Sequence, residues 1–435
     1  MTVSPQESPE LGSPTGPGSG APPGGWRNPR GSFTFFFLFA IAATAGALLS
    51  DAILTLALKA DRIDAQRATT ILSIVVAVGG LCSLVAFPLI GRLSDRSTSR
   101  LGRRRPFLLA AAVLIAAGSL LIVAATDVLM LTVAYTVVGT GAVAAMVATS
   151  AIVPDQFEPD RRGTPSSMVG LGSPIGAVLG LFLAQLVQPH LTAMILLPAG
   201  VAVLALLLLT AVLKDRPQSP QERPPFVLRE FLGTFWVSPR RYPSFALAWA
   251  SRLFIFFGVA AVNAYQAFYL IDVQHVDTAT VGTTIFLATL ILTVVSLIFA
   301  PVAGQISDRI GRRKPFVVVA ALIFAIGLGL VAAAPSIPAF FLAIAVMGLG
   351  QGVYFAVDFA LITEVLPDPA NPGKDIGIMS LANNLPVMIV PAVAPALLAI
   401  GASTATPQNF VVLFAAGAIA AVISAVFILP IRGVR

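Results

Sequence analysis

Three ionisable residues lie inside long apolar runs of this chain: Asp51, Arg252 and Asp358. A charged side chain at the centre of a bilayer costs at least about 2.5 kcal/mol on insertion scales, so each of these residues needs a reason to be there. A carboxylate in such a place can bind and release a proton, and an arginine can neutralise it. The three residues therefore predict a path for protons or a polar solute through a membrane.

Polar neighbours share helix faces with these charges. Gln351 and Tyr354 precede Asp358 by seven and four residues, and Asn263 follows Arg252 by eleven. Each spacing is close to a whole number of 3.6-residue turns, so each set forms one stripe. The predicted solute and proton pathway comprises Asp51, Tyr135, Arg252, Asn263, Gln266, Gln351, Tyr354 and Asp358.

Each buried charge also has a plainer interpretation. Arg252 and Asp358 lie at similar depths in their runs, so they could form an ion pair that only joins two helices. Asp51 lies about 10 Å from the predicted outer end of its helix at 1.5 Å per residue, so its side chain could reach the outer surface. In the functional interpretation, Asp51 or Asp358 carries the coupling proton.

The composition identifies the elements that must position these residues. Hydrophobic residues make up 57% of the 435, and charged residues only 11%. Soluble domains carry about 25% charged residues, so this composition predicts a polytopic membrane protein. The runs are long and continuous, whereas the strands of a membrane barrel alternate over about 10 residues, so we predict an all-α integral membrane fold.

Several kinds of partner are excluded. The net charge of +7 has no soluble basic module to carry it, so nucleic acid is not expected. The lone Cys82 lies in an apolar run, and His190 and His275 are far apart in short loops, so we expect neither a metal nor a cofactor. Beyond membrane lipid, we expect a small-molecule solute and protons as partners, and a monomer.

Residues 1–31 are rich in Pro, Gly and Ser and predict a disordered tail, not a signal peptide.

If the tails and even-numbered connections are cytoplasmic, 23 of the 27 Lys and Arg lie on that side, which predicts cytoplasmic termini in a multi-pass cell-membrane protein. Twelve apolar runs are predicted to span the membrane, at approximately 34–58, 68–90, 107–125, 128–150, 164–187, 191–213, 245–270, 280–303, 316–334, 338–363, 376–400 and 409–430.

The chain contains an internal repeat. The segment Gly91 to Arg96 returns as Gly304 to Arg309, and Leu101 to Phe107 returns as Ile310 to Phe316. At the second offset, Asp155 also corresponds to Glu364. The repeat predicts duplicated halves: a six-helix half at 32–213, a cytoplasmic linker at 214–243 and a second six-helix half at 244–435.

The pattern Gly-x-x-x-Asp-Arg-x-Gly-Arg-Arg between runs 2 and 3, repeated between runs 8 and 9, resembles the signature loop of the major facilitator superfamily. The expanded first copy, Ser94 to Phe107, is similar to that of the sucrose and glycoside cation symporters. The resemblance implies two pseudo-symmetric halves whose helices 1, 4, 7 and 10 line a central cavity. It also implies that the two loops close an inner gate.

Physical chemistry gives the loop residues a role in such a gate. Glycines allow two helices to approach closely, Asp95 and Asp308 can lie against a helix N-terminus, and arginines can form a latch with carboxylates. Asp155 and Glu364 are the predicted carboxylate partners of arginines such as Arg96 and Arg309. The alternative is that these arginines only set the topology. The predicted gate residues are Gly91, Asp95, Arg96, Gly102, Arg103, Asp155, Gly304, Asp308, Arg309, Gly311, Arg312 and Glu364.

These observations predict a secondary active transporter that works by alternating access. No P-loop motif is present, so we expect a proton gradient as the energy source. The expanded loop favours a sugar or glycoside as substrate, with efflux of amphipathic compounds as the alternative. A channel or non-transporting sensor is a remote third possibility. The sequence contains no Gly-x-Ser-x-Gly or His-Glu-x-x-His motif, so an enzyme is not expected.

Overall fold

A computed structural model describes residues 28–29, 31–217, 237–367, 372–402 and 407–431. Within these ranges twelve helices are long and apolar enough to cross a membrane. The helices are α1 (Ser32–Ile63), α2 (Ala68–Asp95), α3 (Arg105–Ala124), α4 (Val128–Gln156), α5 (Gly163–Leu186), α6 (Leu191–Val212), α7 (Pro243–Asp272), α8 (Val281–Ile310), α9 (Lys314–Ala332), α10 (Ile337–Glu364), α11 (Pro372–Ala399) and α12 (Phe410–Ile428). The predicted all-helical class and all twelve runs are confirmed.

Two parts of the predicted organisation lie mostly outside the described residues. These are the tail, apart from residues 28, 29 and 31, and residues 218–236 of the linker. Because twelve crossings are even in number, α1 begins and α12 ends on one side of the bundle. We call this side the terminal face and the other side the opposite face. The loops that join α2 to α3 and α8 to α9 lie at the terminal face.

Helix α1 is longer than the sequence indicates, and it is not regular. It continues to Ile63 as an amphipathic segment, and residues Asp51–Thr55 form one turn of π-helix within it. Asp51 is therefore twelve residues, about 18 Å, from the helix end rather than about 10 Å. At the opposite face, α1 is held by Lys59, whose Nζ donates to the Val123 carbonyl at the end of α3 at 2.7 Å, as cations do at helix C-termini.

Helices α1 and α5 pack with their backbones in close contact. A Cβ atom on Gly176 would lie 2.4 Å from the Ala42 carbonyl oxygen, and one on Gly180 would lie 2.1 Å from the Gly46 carbonyl oxygen. Small residues allow such an approach in membrane proteins, where van der Waals packing is a main force between helices. This contact holds α1, and with it Asp51, in a defined position.

The two halves are joined at the opposite face. Three hydrogen bonds that cross between the halves lie there: Ser73 to Tyr265 at 2.7 Å, Gln408 to Thr69 at 2.8 Å and Thr283 to Gln188 at 3.3 Å. One large buried apolar core contains residues of both halves. A second core is built only from residues between Phe33 and Leu213, at the terminal-face ends of α1, α3, α4 and α6. The described hydrogen bonds between the halves thus all lie at the opposite face, from which we infer a cleft between the halves that opens at the terminal face.

We expect Gly176→Val to destabilise the protein by about 2 kcal/mol or more, because backbone atoms of α1 cannot move aside for the new side chain. The thermal unfolding temperature of the purified protein in detergent measures this effect. Gly170→Val in the same helix is the matched control, since nothing lies within 4 Å of a Cβ at that position. Equal unfolding temperatures for the two variants would contradict the close contact of α1 with α5.

Candidate functional site

Arg252 and Asp358 form an ion pair between α7 and α10. The Arg252 Nη1 atom lies 3.0 Å from the Asp358 Oδ2 atom, and the Arg252 Nε atom donates to Asn383 Oδ1 of α11 at 2.5 Å. Asp358 is 3% exposed, and Tyr354 lies beside it. The predicted pairing of these charges is confirmed, and Asn383 adds a third helix to the cluster.

Asp51 lies in a different environment in the other half. It is 2% exposed, and it accepts a hydrogen bond of 2.6 Å from the Thr55 hydroxyl one π-turn later. Tyr135 of α4 is the neighbouring ionisable group, and its ring packs against Gly79 of α2. Among the described residues Asp51 makes no ion pair. The alternative in which Asp51 reaches the surface is wrong, since its carboxylate is enclosed.

The remaining predicted pathway residues differ in their exposure. Asn263 on α7 and Gln351 on α10 are partly exposed, on the same helix faces as Arg252 and Asp358. Gln266, by contrast, is 3% exposed and is buried between helices rather than in the cleft wall. The polar stripes thus give the cleft two polar walls, one on each of α7 and α10.

At the terminal face the first loop forms an ionic cluster around Arg104. The buried guanidinium contacts Asp155 Oδ2 through Nε at 2.7 Å, and it contacts Asp95 Oδ1 at 3.0 Å and the Ser94 hydroxyl at 2.6 Å through Nη1. Arg103 also pairs with Asp95, at 2.9 Å, and lies 3.7 Å from Asp155. This cluster joins α2, α3 and α4 within the first half.

The N-terminus of α3 is occupied by Asp215, which lies just after α6. Its Oδ2 atom accepts hydrogen bonds from the backbone N–H groups of Arg104, at 2.5 Å, and Arg105, at 2.9 Å. Gly102 has a φ of +108°, and a Cβ there would lie 2.5 Å from the Asp215 carboxyl carbon, so only glycine fits. The expectation that Asp95 lies against this helix end is wrong, because the Asp95 carboxylate instead pairs with the side chains of Arg103 and Arg104.

The second loop is a simpler copy of the first. Arg313 pairs with Glu364 at 3.1 Å, and these residues correspond to Arg104 and Asp155 in the repeat. Gly311 has a φ of +65° and ends α8. Asp308, Arg309 and Arg312 are exposed, and in the described residues no side chain caps the N-terminus of α9, so the expected contact of Asp308 with that helix end is not made.

Two other details of the predicted gate are corrected. The structure pairs Asp155 and Glu364 with Arg103, Arg104 and Arg313, rather than with Arg96 and Arg309. Nothing lies within 4 Å of a Cβ at Gly91, and the nearest atom at Gly304 is 3.9 Å away. Neither glycine makes a close helix contact in this structure.

Sequence reasoning missed several residues of these clusters. Arg104 and Arg313 each precede the first residue of a helix, and their alignment at the repeat offset could have identified them. Nothing local to α11 predicts the contact of Asn383 with Arg252, which spans 131 residues. Asp215 was not identified, because its contact with α3 spans 111 residues.

We expect Arg104→Gln to lower stability by about 2 kcal/mol. Asp155 and Asp95 would lose a cation, although partial exposure of both carboxylates limits the cost. The measurement is thermal unfolding of the purified protein, together with a protease assay of membrane topology. Arg309→Gln is the control, since Arg309 is exposed. If both variants unfold at the same temperature, the ionic cluster around Arg104 does not stabilise the protein.

Comparisons with known proteins agree with this architecture. The chain is 34% identical over 95 residues to the multidrug resistance protein MdtL of Shewanella sp. (strain ANA-3), which covers 22% of each protein. It is 27% identical over 173 residues to an MFS-type efflux pump of Mycolicibacterium smegmatis, covering 39% of this chain and 38% of that protein. The matches to the first curated relatives thus span about a fifth of their length.

Among solved structures, the D-xylose-proton symporter superposes with a TM-score of 0.67 at 17% identity, over 93% of this chain and 98% of that one. At this identity the likeness concerns the fold. The family model for the Major Facilitator Superfamily matches residues 31–298 and 279–434, almost the whole chain. The chain belongs to the major facilitator superfamily.

Proposed function

We propose that this protein is a secondary active transporter that couples proton movement to the movement of a small organic solute by alternating access. The observation that carries the proposal is the difference between the two buried carboxylates. Asp358 has a cationic partner, whereas Asp51 has only the Thr55 hydroxyl and lies beside Tyr135. The major facilitator superfamily is a family of transporters and not of enzymes, in agreement with the sequence-based expectation.

Asp51 is the proposed proton carrier because a lone carboxylate in a buried site is costly as an anion, and a bound proton removes that cost. The Thr55 hydroxyl can donate to the charged form, which keeps release of the proton possible. Asp358, with Arg252 at 3.0 Å, can stay charged throughout. In this scheme the ion pair orients α7 and α10, and the proton moves through the first half.

The contacts at the opposite face supply a mechanism for alternation. The hydrogen bonds of Ser73 with Tyr265 and of Gln408 with Thr69 hold that face closed while the cleft opens at the terminal face. In the alternative state these bonds break and the terminal-face loops approach each other. The ionic cluster around Arg104 lies within one half, so it can move as a rigid body with that half.

The basic residues at the terminal face support a cytoplasmic position for that face, and hence for both termini, in the cell membrane. A sugar or glycoside is the first substrate class, because the expanded loop between α2 and α3 is similar to that of glycoside symporters. Efflux of amphipathic compounds is the second candidate. It is favoured by the similarity of the chain to a multidrug resistance protein and to an efflux pump.

We expect Asp51→Asn to abolish proton-driven accumulation while exchange of solute across the membrane continues, because the amide cannot release a proton. Uptake and counterflow of a panel of sugars and amphipathic compounds into proteoliposomes, at two pH gradients, measure the two activities. Asp61→Asn, at the exposed end of α1, is the control. Full accumulation by Asp51→Asn would exclude Asp51 as the proton carrier.

A cross-link between positions 73 and 265 should stop transport, because it holds the opposite face closed. The test uses Ser73→Cys and Tyr265→Cys in a Cys82→Ser background. A short bifunctional thiol reagent is needed, since the length of tyrosine places the two backbones too far apart for a direct disulfide. We expect loss of transport that is reversed on cleaving the reagent, and no loss in either single-cysteine variant. Undiminished transport by cross-linked protein would contradict alternating access at this face.

A further inference from the structure

One wall of the cleft can be identified on α7. Arg252, Phe256, Val259 and Asn263 are all partly exposed, with spacings of four, three and four residues, which place them on one helix face. Their neighbour Ser251 is fully buried, and its hydroxyl lies 2.9 Å from that of Ser424 in α12. This face of α7 meets α10 and α11 only through side chains, at Arg252 and Phe256, whereas the Ser251 face packs on α12, so we infer that it lines the cleft.

The second wall lies on α10, where Gln351, Phe355 and Asp358 share a face. The glycines on either side of this face contact other helices: Gly352 meets α8 and Gly350 meets α9. The residue on the far side of α10, Leu342, is 67% exposed in a position that faces lipid. By this geometry Phe355, which is 42% exposed, faces the cleft.

An apolar ring surface adjoins the cation in these walls. The ring centroids of Phe256 and Phe355 are 5.8 Å apart, and the Arg252 guanidinium carbon lies 5.9 Å from the Phe256 centroid. Aromatic rings offer a flat surface for another ring or for the C–H face of a sugar, and they stabilise an adjacent guanidinium. The cluster thus presents a flat apolar surface beside a positive charge.

Within the ion pair, the member that reaches the cleft is the arginine. The Arg252 side chain is 15% exposed and that of Asp358 only 5%. Among the described residues, the polar contacts of Arg252 use Nε and Nη1. Because guanidinium carries five N–H groups in a planar fork, the Nη2 group remains for a ligand. A solute that enters the cleft therefore meets the N–H donors of the guanidinium rather than the carboxylate of Asp358.

We propose that Arg252, Phe256 and Phe355 form a subsite for a ring-bearing organic acid, with the carboxylate on Arg252 and the ring on the two phenylalanines. This inference rests on the proposed transport function and narrows its substrate class. A sugar acid and an aromatic acid share this chemistry, since both combine a carboxylate with a ring that has an apolar face. A neutral sugar or a cationic amphipathic compound lacks one part of it.

Binding to the purified protein in detergent, measured by isothermal titration calorimetry, tests the subsite. The probes are two matched pairs: glucuronate with glucose, and benzoate with benzyl alcohol. We expect at least one acid to bind about tenfold or more tightly than its neutral partner, because a charged acceptor makes a stronger hydrogen bond with a guanidinium than a hydroxyl does. Binding of glucuronate would assign the subsite to sugar acids, and binding of benzoate would assign it to aromatic acids.

Three variants locate the binding. Arg252→Lys keeps the charge that Asp358 needs but loses the planar fork, and Phe355→Ala removes half of the ring surface. We expect each to weaken binding of the acid by about tenfold. Phe254→Ala is the matched control, because Phe254 stacks on Phe427 at 5.6 Å on the side of α7 away from the cleft, and it should bind the acid as wild type does.

Equal binding of acids and neutral partners, no binding of either acid, or wild-type binding by both Arg252→Lys and Phe355→Ala would overturn the subsite. These outcomes are separable from failure of the transport proposal. Proton-driven accumulation of a neutral sugar in proteoliposomes, for example, would leave the transport function standing while excluding the acid subsite.

Discussion

The cost of placing charge in a hydrocarbon environment is the constraint on which this structure depends. It confines most Lys and Arg to loops at one face of the bundle, and it requires each charge inside the membrane to be neutralised or bound. The structure meets this requirement in two ways. Arg252 and Asp358 neutralise each other between α7 and α10, whereas Asp51 relies on a hydroxyl within a turn of π-helix. In the proposed transport cycle, the first half therefore carries the proton through Asp51, and the second half keeps its ion pair charged.

The repeat shows how one structural plan was adapted differently in each half. Arg104 with Asp155, and Arg313 with Glu364, are the same contact in the two copies. In both halves the segment that follows the sixth helix forms a hydrogen bond with the start of the third helix. Asp215 accepts from backbone N–H groups of α3 in one half, and the Ile431 carbonyl accepts from Lys314 of α9 in the other. Within the described residues, the first copy adds Asp95 and Ser94 to its arginine and the second copy has no counterpart, so the first is the more strongly bonded of the two.

Packing explains why these halves can move as units. Within the first half, the backbones of α1 and α5 touch at glycines, and a separate apolar core fills its terminal-face end. Between the halves, the described hydrogen bonds at the opposite face involve single side chains of moderate polarity, such as Ser73 with Tyr265. Contacts of this kind are individually worth about 1 kcal/mol, so they can be exchanged for others without disrupting either half. The proposed rocking mechanism needs such exchangeable hydrogen bonds, and it must also rearrange the part of the large apolar core that both halves share.

The sequence by itself determined the membrane location, the twelve helices and the duplicated loops, because these follow from hydropathy and from patterns local to each segment. It also placed Arg252 and Asp358 at matching depths. Only the tertiary structure decided which groups meet. Asn383 reaches Arg252 from 131 residues away, Asp215 occupies the end of α3, and a π-turn encloses Asp51. These contacts depend on helix rotation and on backbone irregularity, which periodicity does not encode. The same reason explains why Phe256 and Phe355, ordinary apolar residues in the sequence, face the cleft beside a charge.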